Sequence, residues 1–457
     1  MELSNIKRVY LVGIGGIGMS GLARYFHHLG CVVCGYDKTA TDLTNELHSE
    51  GVPVIFEDRE KWIPLSFRSP DAGTLIIYTP AVPGDSPILN FFRDGGFELF
   101  KRSQVLGIIS KGMFTVAVAG THGKTTTSTM IAHILKESGR DCSAFLGGIS
   151  SNYHSNVLYG KNNIVVVEAD EYDRSFLTLY PDIAIITSMD ADHLDIYGDH
   201  SHLTSSFKQF ASQIKPGGKL IHRKGLPLET GFTYTVDADA DADADADANA
   251  SNIRIEHGDF YFDFKNSNTE ITNIKMGIAG LHNIENAVAA IEATLLLDVN
   301  GDAIKSALGS FKGVKRRFEY IIKNDRQVFI DDYAHHPEEL KACIRSVKKL
   351  YPGKKLTAIF QPHLYTRTRD FADGFAEALD LTDELIMLDI YPARELPLAG
   401  VNADMILDRM KMWNKRRCGK LEAIDLVKNE KPVLLLTVGA GDIDQLVQPL
   451  KHALQDV

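Results

Sequence analysis

Short apolar runs that end in glycine or an acid, each followed by a stretch of helical period, recur along the whole chain. Val9-Tyr-Leu-Val12 runs into Gly13, with a helix expected over 22–29. A second strand is expected over 31–36, ending at Asp37, and further strands over 74–78 and 98–100. Apolar strands alternating with helices imply a sheet covered on both faces, so the N-terminal third is read as a Rossmann-like βαβ array. A second unit begins near Gly107. It has a strand at 115–119, a helix with Met130, Ile131, Ile134 and Leu135 on one face, and strands at 163–167 and 183–187. A β-rich tail at 253–255 and 260–264 follows, then a helix over 282–293. A third unit, from near Gly313, has strands at 327–330, 355–360, 384–388 and 433–438 with helices between them, and reads as another parallel α/β layer. At 457 residues the chain is too long for one core. The expected fold class is therefore α/β in three domains. Residues 1–106 are Rossmann-like, 107–313 are P-loop ATPase-like with a mostly parallel sheet and a small β element, and 314–457 are Rossmann-like again.

Composition adds exclusions. No apolar run approaches the length of a membrane span, and Met1-Glu-Leu-Ser-Asn-Ile-Lys-Arg leads straight into a strand, so neither a membrane segment nor a secretory signal is expected. Cys31, Cys34, Cys142, Cys343 and Cys418 form no paired framework, and Cys31-Val-Val-Cys34 reads as strand packing, which suits a reducing cytoplasm. Of the net charge of −11, six charges come from Asp237, Asp239, Asp241, Asp243, Asp245 and Asp247, an Asp-Ala repeat read as a solvated loop. No basic patch interleaved with aromatics is present, so no nucleic-acid partner is expected.

The chemistry gathers at strand ends. Gly120-Thr-His-Gly123-Lys124-Thr125-Thr126 joins a buried strand to a helix, as a triphosphate requires. Small residues let backbone N–H groups close on the phosphates, Lys124 reaches the terminal ones, and the Thr125 hydroxyl is placed for magnesium. Lys124 is expected on the loop, facing solvent. The general motif has a glycine where this chain has Val118. Strand 164–168 delivers Glu168, read as the acid that orients magnesium opposite Thr125. Asp170, Glu171 and Asp173 follow and make the stretch locally rich in hard oxygen donors, with a solvated acidic loop as the alternative. Asp190-Ala-Asp-His193-Leu-Asp195 offers His193 as a ligand for a second metal or as a hydrogen-bonded structural residue. Asn283 and Asn286 open a helix, either as caps or as amides suited to a purine edge. Gly13-Ile-Gly15-Gly16-Ile-Gly18 with Asp37 has dinucleotide-fingerprint spacing, which places a phosphorylated nucleotide on a helix N-terminus without naming it. In the third unit, Lys315-Arg316-Arg317, Asp331-Asp332-Tyr-Ala-His335-His336-Pro337 and Gln361-Pro-His363-Leu-Tyr-Thr-Arg367-Thr-Arg369 supply cations and acids at strand ends.

Taken together, Gly-Thr-His-Gly-Lys-Thr-Thr-Thr, Glu-Ala-Asp-Glu, Asp-His-Leu-Asp, Asp-Asp-Tyr-Ala-His-His-Pro and Gln-Pro-His resemble the motifs of the Mur ligases, in order and over essentially the full length. Gly-Ile-Gly-Gly-Ile-Gly-Met-Ser-Gly is similar to the uridine-nucleotide loop of the branch that adds L-alanine to UDP-N-acetylmuramate. The resemblance implies a cytoplasmic, ATP- and Mg²⁺-dependent amide ligase of peptidoglycan precursor synthesis, working through an acyl phosphate on small-molecule substrates. It implies that Gly13, Gly15, Gly16 and Gly18 hold the UDP diphosphate and Asp37 the uridine end. Gly120, Thr121, His122, Gly123, Lys124, Thr125 and Thr126 would take ATP, with Thr125, Glu168 and His193 on the metal and Asn283 and Asn286 on adenine. Arg317 and Asp332 would close onto ATP, and His335 and Arg367 would line the amino-acid site, His335 accepting the amine proton or positioning the substrate. Two departures stand out. Leu364 occupies the position where some members of this branch carry an arginine, which leaves Arg367 or Arg369 to hold the alanine carboxylate. Lys208 lies where several relatives have a carbamylated lysine but with a different spacing, and is not assigned. The alternatives are a ligase adding a preformed peptide to the same sugar nucleotide and, from another class, an NAD-dependent dehydrogenase supported only by the N-terminal fingerprint and Asp37.

Overall fold

The computed structural model describes residues 5–190, 197, 199–236, 246–256, 259–393 and 395–455. It shows an α/β fold of three domains, each on its own sheet. The chain divides into two compact units. One comprises Met1–Ser251, Asp263–Ile274 and Glu285–Phe311; the other comprises Asn252–Phe262, Lys275–Ile284 and Lys312–Val457.

The first sheet is wholly parallel: β1 (Arg8–Val12), β2 (Val32–Tyr36), β3 (Val54–Ile55), β4 (Thr74–Tyr78) and β5 (Leu99–Lys101), in the order β3-β2-β1-β4-β5. Val9, Tyr10, Leu11 and Val12 are fully buried, which is why β1 carries no polar alternation. The connections run to opposite sides of β1, so a crevice opens at the ends of β1 and β4, the usual ligand position in such sheets. Gly13 leaves β1 at φ +89°, and a Cβ there would run into the Thr79 side chain just past β4, so both backbone and space demand glycine.

The second sheet has ten strands. They are β6 (Phe114–Ala119), β7 (Ser143–Ser150), β8 (Ser155–Leu158), β9 (Ile164–Glu168), β10 (Ile183–Ile186), β11 (Lys219–Arg223), β12 (Phe232–Val236), β13 (Ala248–Glu256), β14 (Asp259–Asn266) and β15 (Glu270–Lys275). Their order is β15-β14-β13-β12-β11-β10-β6-β9-β7-β8. β6 pairs parallel with β9 and β10, so the ends of these three strands share one edge. Helix Lys124–Glu137 follows β6 and buries Met130, Ile131, Ile134 and Leu135, the face expected. The β-rich tail expected from the sequence is present and belongs to this sheet. β13, β14 and β15 extend the same sheet, and Phe260, Phe262 and Phe264 alternate into the interior from β14.

The third sheet contains β16 (Glu319–Lys323), β17 (Val328–Asp332), β18 (Leu356–Phe360), β19 (Glu384–Met387), β20 (Lys415–Arg417) and β21 (Leu434–Val438), ordered β16-β17-β21-β18-β19-β20. It is not the purely parallel layer expected. β16 runs antiparallel to β17 because a tight turn at 324–327 joins them, with the Asn324 side chain accepting from the Arg326 and Gln327 N–H groups. Among the described residues no helix is long and apolar enough to cross a membrane.

Asp237, Asp239, Asp241, Asp243 and Asp245 lie outside the described residues. The sixth aspartate of the repeat is not merely solvated. The Asp247 carboxylate accepts from Thr233 N at 2.7 Å and from Thr233 Oγ1 at 2.8 Å, tying the start of β13 to β12. Asp247→Ala is expected to cost about 0.5–1.5 kcal/mol in denaturant unfolding, the net worth of such bonds. Asp247→Asn, which keeps an acceptor, is expected to lose less.

Candidate active site

β6 ends at Ala119 and the chain turns through Gly120–Gly123 into the helix. Residues after β10 brace this turn. The Ser188 hydroxyl accepts from His122 N at 2.7 Å and meets Thr121 Oγ1 at 2.9 Å, while the Thr187 hydroxyl donates to the carbonyls of Ala119 and His122. A Cβ on Gly120 would collide with Thr187. Gly123, at φ +82°, is the helix N-cap, and no side chain caps the first turn, whose N–H groups are therefore the natural seat of an anion. Thr125 and Thr126 are buried in that turn.

Lys124 is not the solvent-facing loop residue the sequence suggested. It opens the helix, its side chain is 14 % exposed, and it is ion-paired with Glu171, which is 1 % exposed. Burial pulls the Lys124 pKa down, but Glu171, Asp170 and Glu168 outweigh it, so the net shift is upward and the ammonium stays charged. From sequence Glu171 stood either among the hard oxygen donors after β9 or in a solvated loop, and neither reading named Lys124 as its partner. The signal that distinguished it was its place in Glu168-Ala-Asp-Glu171, three residues past a strand end.

Glu168, at the end of β9, accepts from Gly147 N at 2.9 Å and bonds the Thr125 hydroxyl. Burial raises its pKa, and Lys124 opposes this. A Cβ on Gly147 would overlap the Glu168 carboxylate, so Gly147, unnoticed in the sequence, is required for this approach. Two hard oxygen donors side by side suit Mg²⁺, which typically takes one or two protein ligands and otherwise phosphate and water. His193 lies outside the described residues. Among the described residues no group of three or more His, Cys, Asp or Glu side chains is arranged to hold a metal.

The N-terminal glycine loop is held from within. Asp37 Oδ2 accepts from Gly15 N at 2.8 Å, and a Cβ on Gly15 would strike the Asp37 carboxylate and Thr44. Gly18 lies under the Arg102 side chain, whose guanidinium is 3.8 Å from the Asp170 carboxylate. A Cβ on Gly16 would make only ordinary van der Waals contact with the Gly13 carbonyl and Met19. Asn283 and Asn286 are buried at the start of helix Leu281–Leu295. Asn283 Nδ2 donates to Ala279 O at 2.5 Å, and Asn286 places its amide oxygen against Gly123.

In the other unit, Asp332 ends β17 with its carboxylate accepting from Phe318 N and Ala334 N, both at 2.7 Å. Burial pushes it up to about 6 against the pull of Arg317. Arg316 and Arg317 both lie over the Tyr333 ring, at 5.1 and 5.0 Å. Arg316 is tied to Asp331 and the Gly439 carbonyl, so Arg317 is the better placed of the two for a ligand. His335 bonds the Tyr333 carbonyl through Nδ1 at 2.9 Å, which assigns the proton to Nδ1 and the lone pair to Nε2. Burial lowers its pKa to about 4, partly offset by Glu339 and reinforced by Arg367, so the ring is neutral near pH 7. Burial lowers the pKa of His363 to about 4, with His335 and Arg367 adding to the effect, and its ring lies 6.0 Å from that of His335. Arg369 is exposed and pairs with Asp370 at 2.7 Å. His282, passed over in the sequence, carries the charge influence of Arg317 and Glu339 and has its pKa lowered to about 4 by burial. Leu364 starts helix Tyr365–Asp370 at φ +69°, a strained backbone for leucine.

Three family models match in chain order: the Mur ligase family catalytic domain over residues 8–113, the Mur ligase middle domain over 118–294, and the Mur ligase glutamate ligase domain over 316–441. The chain is 48 % identical over 455 residues to the UDP-N-acetylmuramate–L-alanine ligase of Cytophaga hutchinsonii, covering 99 % of this chain and 97 % of that one. It is 49 % identical over 462 residues to the enzyme of the same name from Parabacteroides distasonis, covering 99 % and 98 %. Among solved structures it is similar to the UDP-N-acetylmuramate-alanine ligase of Thermotoga maritima, with TM-score 0.83, 27 % identity and 98 % and 99 % coverage. A murein peptide ligase from Psychrobacter arcticus shares the fold at TM-score 0.69 and 22 % identity, covering 99 % of both chains.

The histidine shift has a pH signature. Unfolded, His335 takes a proton near pH 6.5; folded, only near 4. Between those values the unfolded chain binds more protons, so this ring withdraws stability as pH falls from 6.5 and costs nothing above it. Asp331 and Asp332, pushed up to about 7 and about 6 by burial, act oppositely. The difference between parent and His335→Gln therefore isolates the ring. Going from pH 7.5 to 5, the parent is expected to lose about 1–2 kcal/mol more than the variant in urea unfolding.

Proposed function

The chain belongs to the Mur ligase family, and we propose that it joins L-alanine to UDP-N-acetylmuramate at the expense of ATP, in the cytoplasm. The observation that carries this is the meeting of Lys124, Thr125 and Glu168 at one sheet edge, in a chain whose full-length relatives are named for that reaction. We further take 1–106, 107–313 and 314–457 as the domains for the sugar nucleotide, ATP and the amino acid.

A carboxylate is a poor acyl donor, so its oxygen first attacks the γ-phosphorus of ATP, releasing ADP and forming an acyl phosphate. The open first turn after Gly123 receives the phosphates, and Lys124 meets the negative charge that builds on the transferring group. Thr125 and Glu168 would hold Mg²⁺, which when bound neutralises phosphate charge. Gly13, Gly15, Gly16 and Gly18 seat the diphosphate of the sugar nucleotide, with Asp37 bracing that loop. The alanine amine then attacks the acyl carbon, the tetrahedral intermediate expels phosphate, and an amide remains. Neutral His335, with Nε2 available, suits acceptance of the amine proton. Arg317 and Asp332 serve the nucleotide, as do Asn283 and Asn286. Arg367 rather than Arg369 is our choice for the alanine carboxylate, because its charge falls on His335 and His363 while Arg369 pairs outward with Asp370.

Phosphate release from ATP should require both UDP-N-acetylmuramate and L-alanine. Release with a preformed tripeptide in place of alanine would move the chain to the peptide-adding branch, and NAD(H) binding that the sugar nucleotide cannot displace would favour a dehydrogenase. Loss of one partner of a desolvated charge pair costs about 2–5 kcal/mol, so Arg367→Ala should raise the alanine requirement at least tenfold, with ATP and sugar-nucleotide affinity little changed. An unchanged alanine dependence in Arg367→Ala, combined with its loss in Arg369→Ala, would transfer the role two residues along. Lys124→Ala should reduce turnover about a hundredfold or more.

A further inference from the structure

Glu171 sits on the loop that leaves β9, and its backbone is fastened on several sides. Its carbonyl accepts from the Tyr197 hydroxyl at 2.6 Å and from Arg174 N at 2.9 Å, while Phe176 N returns to the Asp170 carbonyl at 2.9 Å. The side chain is buried and its carboxylate stands 2.8 Å from Lys124 Nζ. A lysine ammonium has three N–H donors, and three acceptors surround this one: the Gly120 carbonyl at 2.6 Å, the Glu171 carboxylate at 2.8 Å and the Thr121 carbonyl at 3.3 Å. These contacts differ in strength. The Glu171 contact is charge-assisted and desolvated, whereas the Thr121 contact is neutral and long, so an incoming phosphate oxygen displaces Thr121 at least cost.

We propose that Glu171 is a positioning residue for Lys124, holding the ammonium in a buried ion pair so that the N–H now directed at the Thr121 carbonyl is the one that turns to the terminal phosphates. The inference rests on the phosphate-loop role given to Lys124 above. It also separates two tasks within one short loop. Glu168 and Asp170 act on the same ammonium, and without Glu171 the lysine would settle toward them, occupying the carboxylate that faces Thr125. With Glu171 as its partner, Glu168 stays available beside the Thr125 hydroxyl.

Glu171→Gln keeps the size and an acceptor but removes the charge. Its kcat, its KM values and the affinity for a non-hydrolysable ATP analogue with magnesium, read by calorimetry, are to be compared with Lys124→Ala and with the double variant. Glu171→Gln should lower kcat at least about tenfold and weaken the analogue several-fold, with KM for UDP-N-acetylmuramate and L-alanine within about twofold of the parent. In the Lys124→Ala background the same substitution should change analogue affinity by no more than about twofold, because a residue acting through Lys124 has nothing left to act on. If Lys124→Ala binds the analogue and turns over normally, the phosphate-loop role itself falls. If Lys124→Ala is impaired but Glu171→Gln is not, or its effect persists undiminished in the double variant, Glu171 does not act through Lys124 and this proposal alone is overturned. Should Glu171→Gln not fold, Glu171→Asp, which retains the buried charge but retracts it, carries the same comparison.

Discussion

Parallel pairing of β6 with β9 on one side and β10 on the other is the constraint on which the catalytic geometry of the central domain depends. The register that sets Val118 opposite Glu168 and Ala119 opposite Ile186 brings three strand ends to one edge. The glycine turn, the acid and the Thr187-Ser188 brace therefore meet without any of them being adjacent in sequence. All three strands are buried on both faces, so a slip in register would expose apolar surface and is strongly opposed.

On this frame the charges are arranged in a way that an exposed surface would not tolerate. A buried ammonium among three nearby carboxylates keeps its proton, while Glu168 and Glu171 are pushed toward neutrality by burial and drawn back by Lys124. Removing either partner would leave an uncompensated buried charge, which costs far more than the intact pair contributes. The compact unit that contains Lys275–Ile284 and Lys312–Val457 uses burial differently. It keeps His282, His335 and His363 neutral near pH 7, beside arginines that hold permanent charge. Permanent positive charge and neutral ring nitrogens are thus carried by different side chains.

Much of this was legible in the chain because its signals are local. Strand-turn-helix order at Gly120–Thr126 and an acid at the end of an apolar run at Glu168 are patterns of a few residues, and both sit where expected. What escaped depends on contacts far apart in sequence. Gly147 reads as one glycine among many until the Glu168 carboxylate is seen against it. Glu171 reads as one acid of a donor-rich or solvated loop until Lys124 folds onto it, and Asp247 reads as one tooth of a repeat until Thr233 is paired beside it. The hairpin of β16 on β17 was missed because the apolar run of β16 is short and half-exposed, so periodicity gave no direction for it.

The central claim is that the acyl group is activated as a phosphate before the amine arrives, and an isotope experiment reads this directly. UDP-N-acetylmuramate labelled with ¹⁸O in its carboxylate should pass one of the two labelled oxygens to the inorganic phosphate released with each amide formed. That oxygen bridges carbon and phosphorus in the acyl phosphate and leaves with phosphorus. Appearance of the label in phosphate, in step with amide formation from L-alanine, is the result this account predicts. Amide formation with the phosphate wholly unlabelled would contradict it.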